Sequence, residues 1–226
     1  MMLPREEIFK ELGLWPVWRL KQSGAQEEEP QPAPRAADIH DWDALREAVD
    51  TCTACKLYKT RTQGVLGVGD QNADWLIIGE APGVDEDAQG EPFVGQAGKL
   101  LDAMLAAIGL KRGEDVYITN VLKSRPPNNR NPEPDEVAAC MPYLLRQIEL
   151  IQPRIILALG RFAAQSLLNT EESIGRLRGR VHQFQGVPLI VTYHPAYLLR
   201  KLPDKARAWE DLCLARRTLA SLTPES

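Results

Sequence analysis

Cys52 and Cys55 form a CxxC pair, Cys140 lies far downstream, and Ser124 stands sixteen residues before Cys140 in the stretch VLKSRPPNNR. A CxxC pair is a good metal chelate, but alone it does not choose between zinc, a redox disulfide and iron–sulfur chemistry. Three cysteines make an awkward metal site. Serine is a poor replacement for a thiolate, because its hydroxyl is hard to deprotonate and is a harder ligand than sulfur. Cys213, beside Leu212 and near Trp209, reads first as a small core hydrophobe.

A second group of reactive residues lies in GEAPGVDEDAQGEPFVG, residues 79–95. Its glycines allow tight turns and close backbone approach. Glu80, Asp85, Glu86 and Asp87 crowd carboxylates into the same segment, and Phe93 sits among turn formers. Clustered carboxylates repel phosphate and no P-loop lysine follows in register, which argues against a phosphate cradle. The bland alternative is a solvated acidic loop with Phe93 tucked into the core. Asn120 ends a strand-like run, where its amide is either a turn former or a donor–acceptor pair facing a base edge. His194, in YHPAYLLR, is placed to donate a hydrogen bond to charge that develops on a substrate oxygen. Leu198 and Leu199 are expected to be exposed beside Arg200 and Lys201, as an apolar wedge flanked by cations that displaces a base from duplex DNA; the alternative is packing against the last helix.

The elements that carry these residues alternate. ADWLIIGE, DVYITNV, PRIILALG and VPLIVTY are continuous apolar runs of strand length, as expected for strands covered on both faces. GQAGKLLDAMLAAIGL, PEPDEVAACMPYLLRQIELI, GRFAAQSLL and DKARAWEDLCLARRTLASL read as helices. Asp41 or Asp43 is placed to cap a helix that runs into the CxxC pair. The alternation predicts an α/β fold with a parallel sheet and helices on both faces. In such sheets function gathers past the C-terminal strand ends. The chemically loaded loops after the first, second and fourth runs should therefore converge on one edge.

The apolar fraction is 44% and the charged fraction 26%, ordinary for a soluble globular chain. No apolar run approaches the roughly 18 residues of a membrane span, and MMLPREEIFK has no apolar signal region, so a cytoplasmic, non-membrane protein is expected. Residues 1–20 hold a short amphipathic segment broken at Pro16. Residues 21–38, rich in Gln, Glu and Pro, read as a flexible linker, and residues 39–226 as the main domain. The net charge is −4, but residues 111–226 carry 17 Lys/Arg against 12 Asp/Glu. The basic excess shares that half with the Arg/Pro/Asn loop, which keeps a polyanion partner open.

Together these motifs resemble the family 4 uracil-DNA glycosylases, the iron–sulfur branch of the uracil-DNA glycosylase superfamily. The resemblance runs from about Trp42 to about Leu219 through CTACKLYKTRTQ, GEAPGVDEDAQGEPFVGQAGKLLDAML, YITNVLKSRPPNNRNPEPDEVAAC, PRIILALGRFAAQSLL, LRGRVH and TYHPAYLLR. It implies a three-layer α/β/α sandwich around a four-stranded parallel sheet. It implies a monomer that acts on uracil-containing DNA, hydrolysing the N-glycosidic bond of a flipped deoxyuridine and leaving an abasic site. On that resemblance Phe93 stacks on the uracil, Asn120 reads its polar edge and the Ala81 backbone touches it. His194 stabilises the departing anion, Glu80 holds the attacking water, and Glu86 lines the pocket. Leu198 or a neighbour fills the vacated stack, and Arg125, Arg130, Arg178 and Lys201 meet phosphates. A related group traps the abasic sugar through a His in the loop that here reads KSRPPNNRNP; with no His in it, turnover is expected.

The resemblance also implies a 4Fe–4S cluster on four cysteines, at the positions of Cys52, Cys55, Ser124 and Cys140. Serine at the third position leaves four outcomes. The cluster persists on three cysteines with Ser124 or water at the fourth iron; it is labile or three-iron; Cys213 substitutes; or none forms. The rival reading is a non-catalytic DNA-binding module of the same fold with an impaired iron–sulfur site.

Overall fold

The computed structural model describes residues 11–12 and 39–222. The chain divides into two compact units, Met1–Pro30 and Gln31–Ser226. The amphipathic segment and linker expected over residues 1–38 lie outside the described residues, save for 11 and 12, and the architecture below is that of residues 39–222.

The four apolar runs become strands β2 (Trp75–Gly79), β3 (Val116–Asn120), β4 (Ile155–Leu159) and β6 (Val187–Thr192). They pair in parallel in the order β3-β2-β4-β6. The sheet is larger than the four strands expected. Two antiparallel edge strands, β1 (Val68–Gly69) and β5 (Val181–Phe184), complete the six-stranded order β1-β3-β2-β4-β6-β5. Neither carries the continuous apolar signal of a doubly covered strand. β1 has two residues, and VHQF in β5 alternates exposed and half-buried. A two-residue hairpin joins β5 to β6 with positive φ at both Gln185 (51°) and Gly186 (78°), the backbone twist that antiparallel neighbours need.

Helices flank the sheet. Asp41 caps α1 (Trp42–Asp50), its Oδ1 accepting from the Ala44 N–H at 2.8 Å. The acidic loop forms the short α2 (Val84–Gln89) and leads into α3 (Gln96–Ala107). After β3 comes α4 (Pro134–Ile151), and after β4 come α5 (Arg161–Leu168) and α6 (Ile174–Leu177). After β6 come α7 (Pro195–Leu198) and α8 (Lys205–Ser221). Side chains of alternate pleat sit in separate cores. Ile77, Ile118, Leu157 and Ile190 pack with α3, α7 and α8. Leu76, Tyr117, Ile156 and Val191 pack with α4, α5 and α6. The three-layer α/β/α arrangement follows from this alternation. Because β2 leads to α3 on one face and β4 leads to α5 on the other, the neighbouring loops after β2 and β4 part company, and a crevice opens between them.

Candidate functional site

Strand register sets the level of the functional residues. Gly79 is the Cα partner of Asn120, Ile78 of Ala158, and Leu159 of Thr192. The residues that follow therefore leave the sheet at one edge. A cavity of about 720 Å³ opens there, lined among others by Glu80, Phe93, Asn120, Gly160, Arg161 and His194. Ala81, Glu86 and Arg130 also line it. The expected convergence of the loops after the first, second and fourth apolar runs is thus observed, and the loop after β4 joins them.

Two glycines make room. A Cβ on Gly79 would lie 2.3 Å from Asn120 Oδ1 and 2.5 Å from Phe93 Cζ. Gly160 has φ +92°, and a Cβ there would lie 2.9 Å from the His194 Cβ. Asn120 is 2% exposed, and its Oδ1 is buried without a hydrogen-bond partner. A buried acceptor left open at a cavity wall is costly unless a ligand supplies the donor.

His194 caps α7 by accepting the Ala196 N–H at Nδ1, 3.1 Å away. Burial, with a smaller push from Arg200, holds its pKa down to about 4. The ring is therefore neutral near pH 7, and with Nδ1 accepting, its proton sits on Nε2 as a donor. Its ring lies 5.6 Å from that of Phe93, centroid to centroid. Burial pushes the Glu80 carboxyl up to about 7, against a lowering by Arg161.

The acidic loop is solvated only in part: Asp85 is exposed, while Glu86 and Asp87 turn onto the backbone. Glu86 accepts the Gly83 N–H at 3.0 Å with Oε2 and the Val94 N–H at 3.1 Å with Oε1. Asp87 is buried and accepts the Thr62 N–H at 2.9 Å and the Thr62 hydroxyl at 2.7 Å. These carboxylates shape the loop that carries Phe93. Phe93 is 6% exposed and belongs to the core around β2 while lining the cavity.

Residues 66–213 match the family described as the uracil DNA glycosylase superfamily. The chain belongs to that superfamily. It is 53% identical over 165 residues to a type-4 uracil-DNA glycosylase of Archaeoglobus fulgidus, covering 70% of this chain and 82% of the relative. It is 47% identical over 188 residues to one of Saccharolobus solfataricus, covering 79% and 87%. To one of Pyrobaculum aerophilum it is 43% identical over 182 residues, covering 77% and 92%.

Against the superfamily's background the cysteine corner stands out. Cys140 is buried with Leu57 and Leu122, and Cys55 packs beside them. Cys140 Sγ accepts the Lys123 N–H at 3.5 Å. Burial pushes the Cys140 thiol up to about 11 and raises that of Cys55. Ser124 is buried, and its Oγ accepts from Arg61 Nη1 at 2.9 Å. The other arm of the same guanidinium donates to the carbonyls of Asp50, at 2.7 Å, and Cys52, at 3.3 Å. Three thiols and a hydroxyl held by a cation do not fit a four-thiolate cluster. Among the described residues no group of three His, Cys, Asp or Glu side chains is arranged to hold a metal ion. Substitution by Cys213 is also ruled out by position. It lies on α8, whose Leu212 packs on the opposite face of the sheet from α4, the helix that carries Cys140. Anaerobically purified protein is expected to carry less iron and weaker visible absorbance than its Ser124→Cys variant, because a fourth thiolate completes the ligand set. A full cluster complement of iron in the Ser124 protein would contradict this.

The residues expected at the DNA surface separate. Leu198 is a correction: it is 1% exposed and packs in the core with α3 and α8. A four-residue helix aims its last side chain inward and leaves the next, Leu199, 43% exposed. Arg178 is engaged on Asp211 (3.0 Å) and Glu210 (3.1 Å). Arg130 forks onto the buried Glu136, its Nη1 donating to Oε2 at 2.8 Å and its Nη2 to Oε1. Arg125 donates to Asn129 Oδ1 at 2.7 Å. Lys201 is exposed and, with Arg125 and Arg178, lies outside the cavity lining. Sequence reasoning missed Gly160 and Arg161 at the cavity, and named Arg200 only as a cation flanking the wedge. Their signal is positional: Gly160 and Arg161 directly follow β4, and Arg200 directly follows the exposed Leu199.

Proposed function

We propose that this protein is a uracil-DNA glycosylase that hydrolyses the N-glycosidic bond of deoxyuridine in DNA, releasing uracil and leaving an abasic site. The observation that carries the reading is one cavity holding a neutral histidine donor, an unpartnered asparagine acceptor, an aromatic ring and a carboxylate. The target nucleotide leaves the stack to reach it. Phe93 stacks on the base, and the Ala81 backbone borders it. Uracil presents an N3–H donor, which the open Oδ1 of Asn120 accepts; cytosine has a lone pair at N3 and leaves that acceptor unpaired.

The leaving group is a delocalised anion, so it needs a hydrogen-bond donor more than it needs a proton. Nε2–H of His194 supplies that donor in a water-poor pocket. The sugar turns cationic as the bond breaks. The Glu80 carboxylate offsets that charge and orients the water that adds to the sugar carbon. Glu86 acts through the loop it shapes. On the DNA side, Leu199 takes the wedge role first given to Leu198, and Arg125, Arg130, Arg200 and Lys201 meet phosphates. Arg178, in the connection between α6 and β5, serves as a strut onto α8. The cysteine corner corresponds to the iron–sulfur site that the resemblance implies, with Ser124 at the position of the fourth ligand; its cysteines do not line the cavity, and no catalytic step runs through it. The protein is read as a monomer acting in the cytoplasm; among the described residues no helix is long and apolar enough to cross a membrane.

The test is release of free uracil from an oligonucleotide with a single deoxyuridine, followed across pH. Glu80 acts as a carboxylate, and burial raises its pKa from 4.5 to about 7. Below that value it is neutral and idle, so the excision rate is expected to rise with pH through about 7 and to fall tenfold for each pH unit well below it. Salt-sensitive DNA binding with no uracil release at any pH would favour the non-catalytic module instead.

A further inference from the structure

Phe93 holds an unusual backbone for an aromatic residue. Its φ is +57°, in the left-handed region that non-glycine residues rarely adopt. Such a conformation persists where the surroundings over-determine it. Here they grip the turn from two sides. Glu86 accepts the N–H groups that follow Phe93, at Val94 (3.1 Å) and Gly95 (3.4 Å). Arg112, on the connection between α3 and β3, takes the carbonyls that precede and include it. Its Nη1 donates to the Pro92 carbonyl at 3.0 Å and its Nη2 to the Phe93 carbonyl at 2.9 Å. The third donor, Nε, binds Asp102 on α3 at 2.9 Å, which fixes the plane of the guanidinium. Gly98 completes the seat, because a Cβ there would lie 1.7 Å from the Phe93 carbonyl oxygen.

Arg112 does not line the cavity, and neither of its carbonyl partners needs a charge to stay folded. A planar fork spanning two consecutive carbonyls does set the direction in which the intervening residue projects. We propose that Arg112, aligned by Asp102, is a positioning residue that holds the Phe93 ring in place over the flipped base. This rests on the reading that Phe93 stacks on the base. Without the fork, Phe93 relaxes toward negative φ and its ring swings off the base plane. The loss falls on substrate binding, and the donor of His194 and the carboxylate of Glu80 are left where they are.

The experiment is a double-mutant cycle on the full chain, with kcat and KM for a single-deoxyuridine oligonucleotide and Tm for each variant. Arg112→Gln is expected to raise KM about tenfold with kcat within about threefold, in the range that base–aromatic stacking contributes. Asp102→Asn should move KM in the same direction by less. In the Phe93→Ala background Arg112→Gln should change KM by less than about twofold, because there is no ring left to position. An equal rise in KM in both backgrounds would overturn the proposal, as would a fall in kcat and Tm with no change in KM. If Phe93→Ala itself leaves KM unchanged, the stacking reading fails, a result separate from the other two. Should Arg112→Gln not fold, Arg112→Lys and the half-exposed Asp102→Asn carry the same comparison, since each loosens the fork and keeps most of the contacts.

Discussion

His194→Ala is expected to lower the rate of uracil release by about 10²–10³-fold in single-turnover measurements, the usual cost of one missing donor at a developing anion. KM should stay within a few-fold. The reason for the split is that the donor matters most when charge has built up on uracil oxygen, and little while the base is still neutral. The geometry makes the imidazole a donor by elimination. Nδ1 is occupied by the Ala196 N–H, and burial together with Arg200 holds the ring neutral down to about pH 4. An imidazolium would be a stronger donor, but it would bring an uncompensated charge into a buried site beside Phe93. The pH profile separates the two groups. In the wild type and in His194→Ala alike, the acid limb near 7 should persist, because it belongs to Glu80. A loss smaller than tenfold, or a limb that disappears with the histidine, would assign the roles differently.

The parts of this molecule that were legible in its sequence share one property: their signal is local. Continuous apolar runs announced β2, β3, β4 and β6, because strands covered on both faces must be apolar throughout. Glu80, Asn120 and His194 were legible as reactive residues because each stands at or just past the end of such a run. What was not legible depends on partners distant in sequence. Arg178 looked like a free cation until the fold brought Asp211 against it, 33 positions away. Leu198 and Leu199 looked equivalent until the short α7 fixed which one faces the core. The carboxylates of residues 85–87 suggested either a solvated loop or a reactive one. Glu86 and Asp87 instead accept backbone N–H groups, because tight turns leave donors that only a nearby acceptor can satisfy. β1 and β5 escaped notice because an edge strand needs apolar residues on one face at most.

Gly79→Ala is expected to cost about 10²-fold in kcat/KM for uracil release, comparable to removing the amide outright in Asn120→Ala, although Gly79 carries no functional group. The added methyl would sit 2.3 Å from Asn120 Oδ1, 2.5 Å from Phe93 Cζ and 2.7 Å from Phe93 Cε2. Contacts that short cannot be kept, so the amide, the ring or both must move. Neither has slack: Asn120 is 2% exposed and Phe93 6%. The Phe93 backbone is also gripped from both sides. Relief therefore comes by rotating the side chains toward the cavity, into the space the base occupies. β2 keeps its ladder, since the methyl adds no bulk along the hydrogen-bonding direction, and Tm should fall far less than activity does. Gly175→Ala is the matched control, because a Cβ there meets nothing within 4 Å, and it should leave rate and Tm unchanged. The discriminating outcome is the ratio for uracil over cytosine. If Gly79 exists to let Asn120 and Phe93 close on the base, that ratio falls with the rate, because a displaced amide no longer rewards the N3–H of uracil. If activity drops with the ratio intact, the methyl has merely narrowed the cavity, and base reading must be assigned to other atoms on its wall.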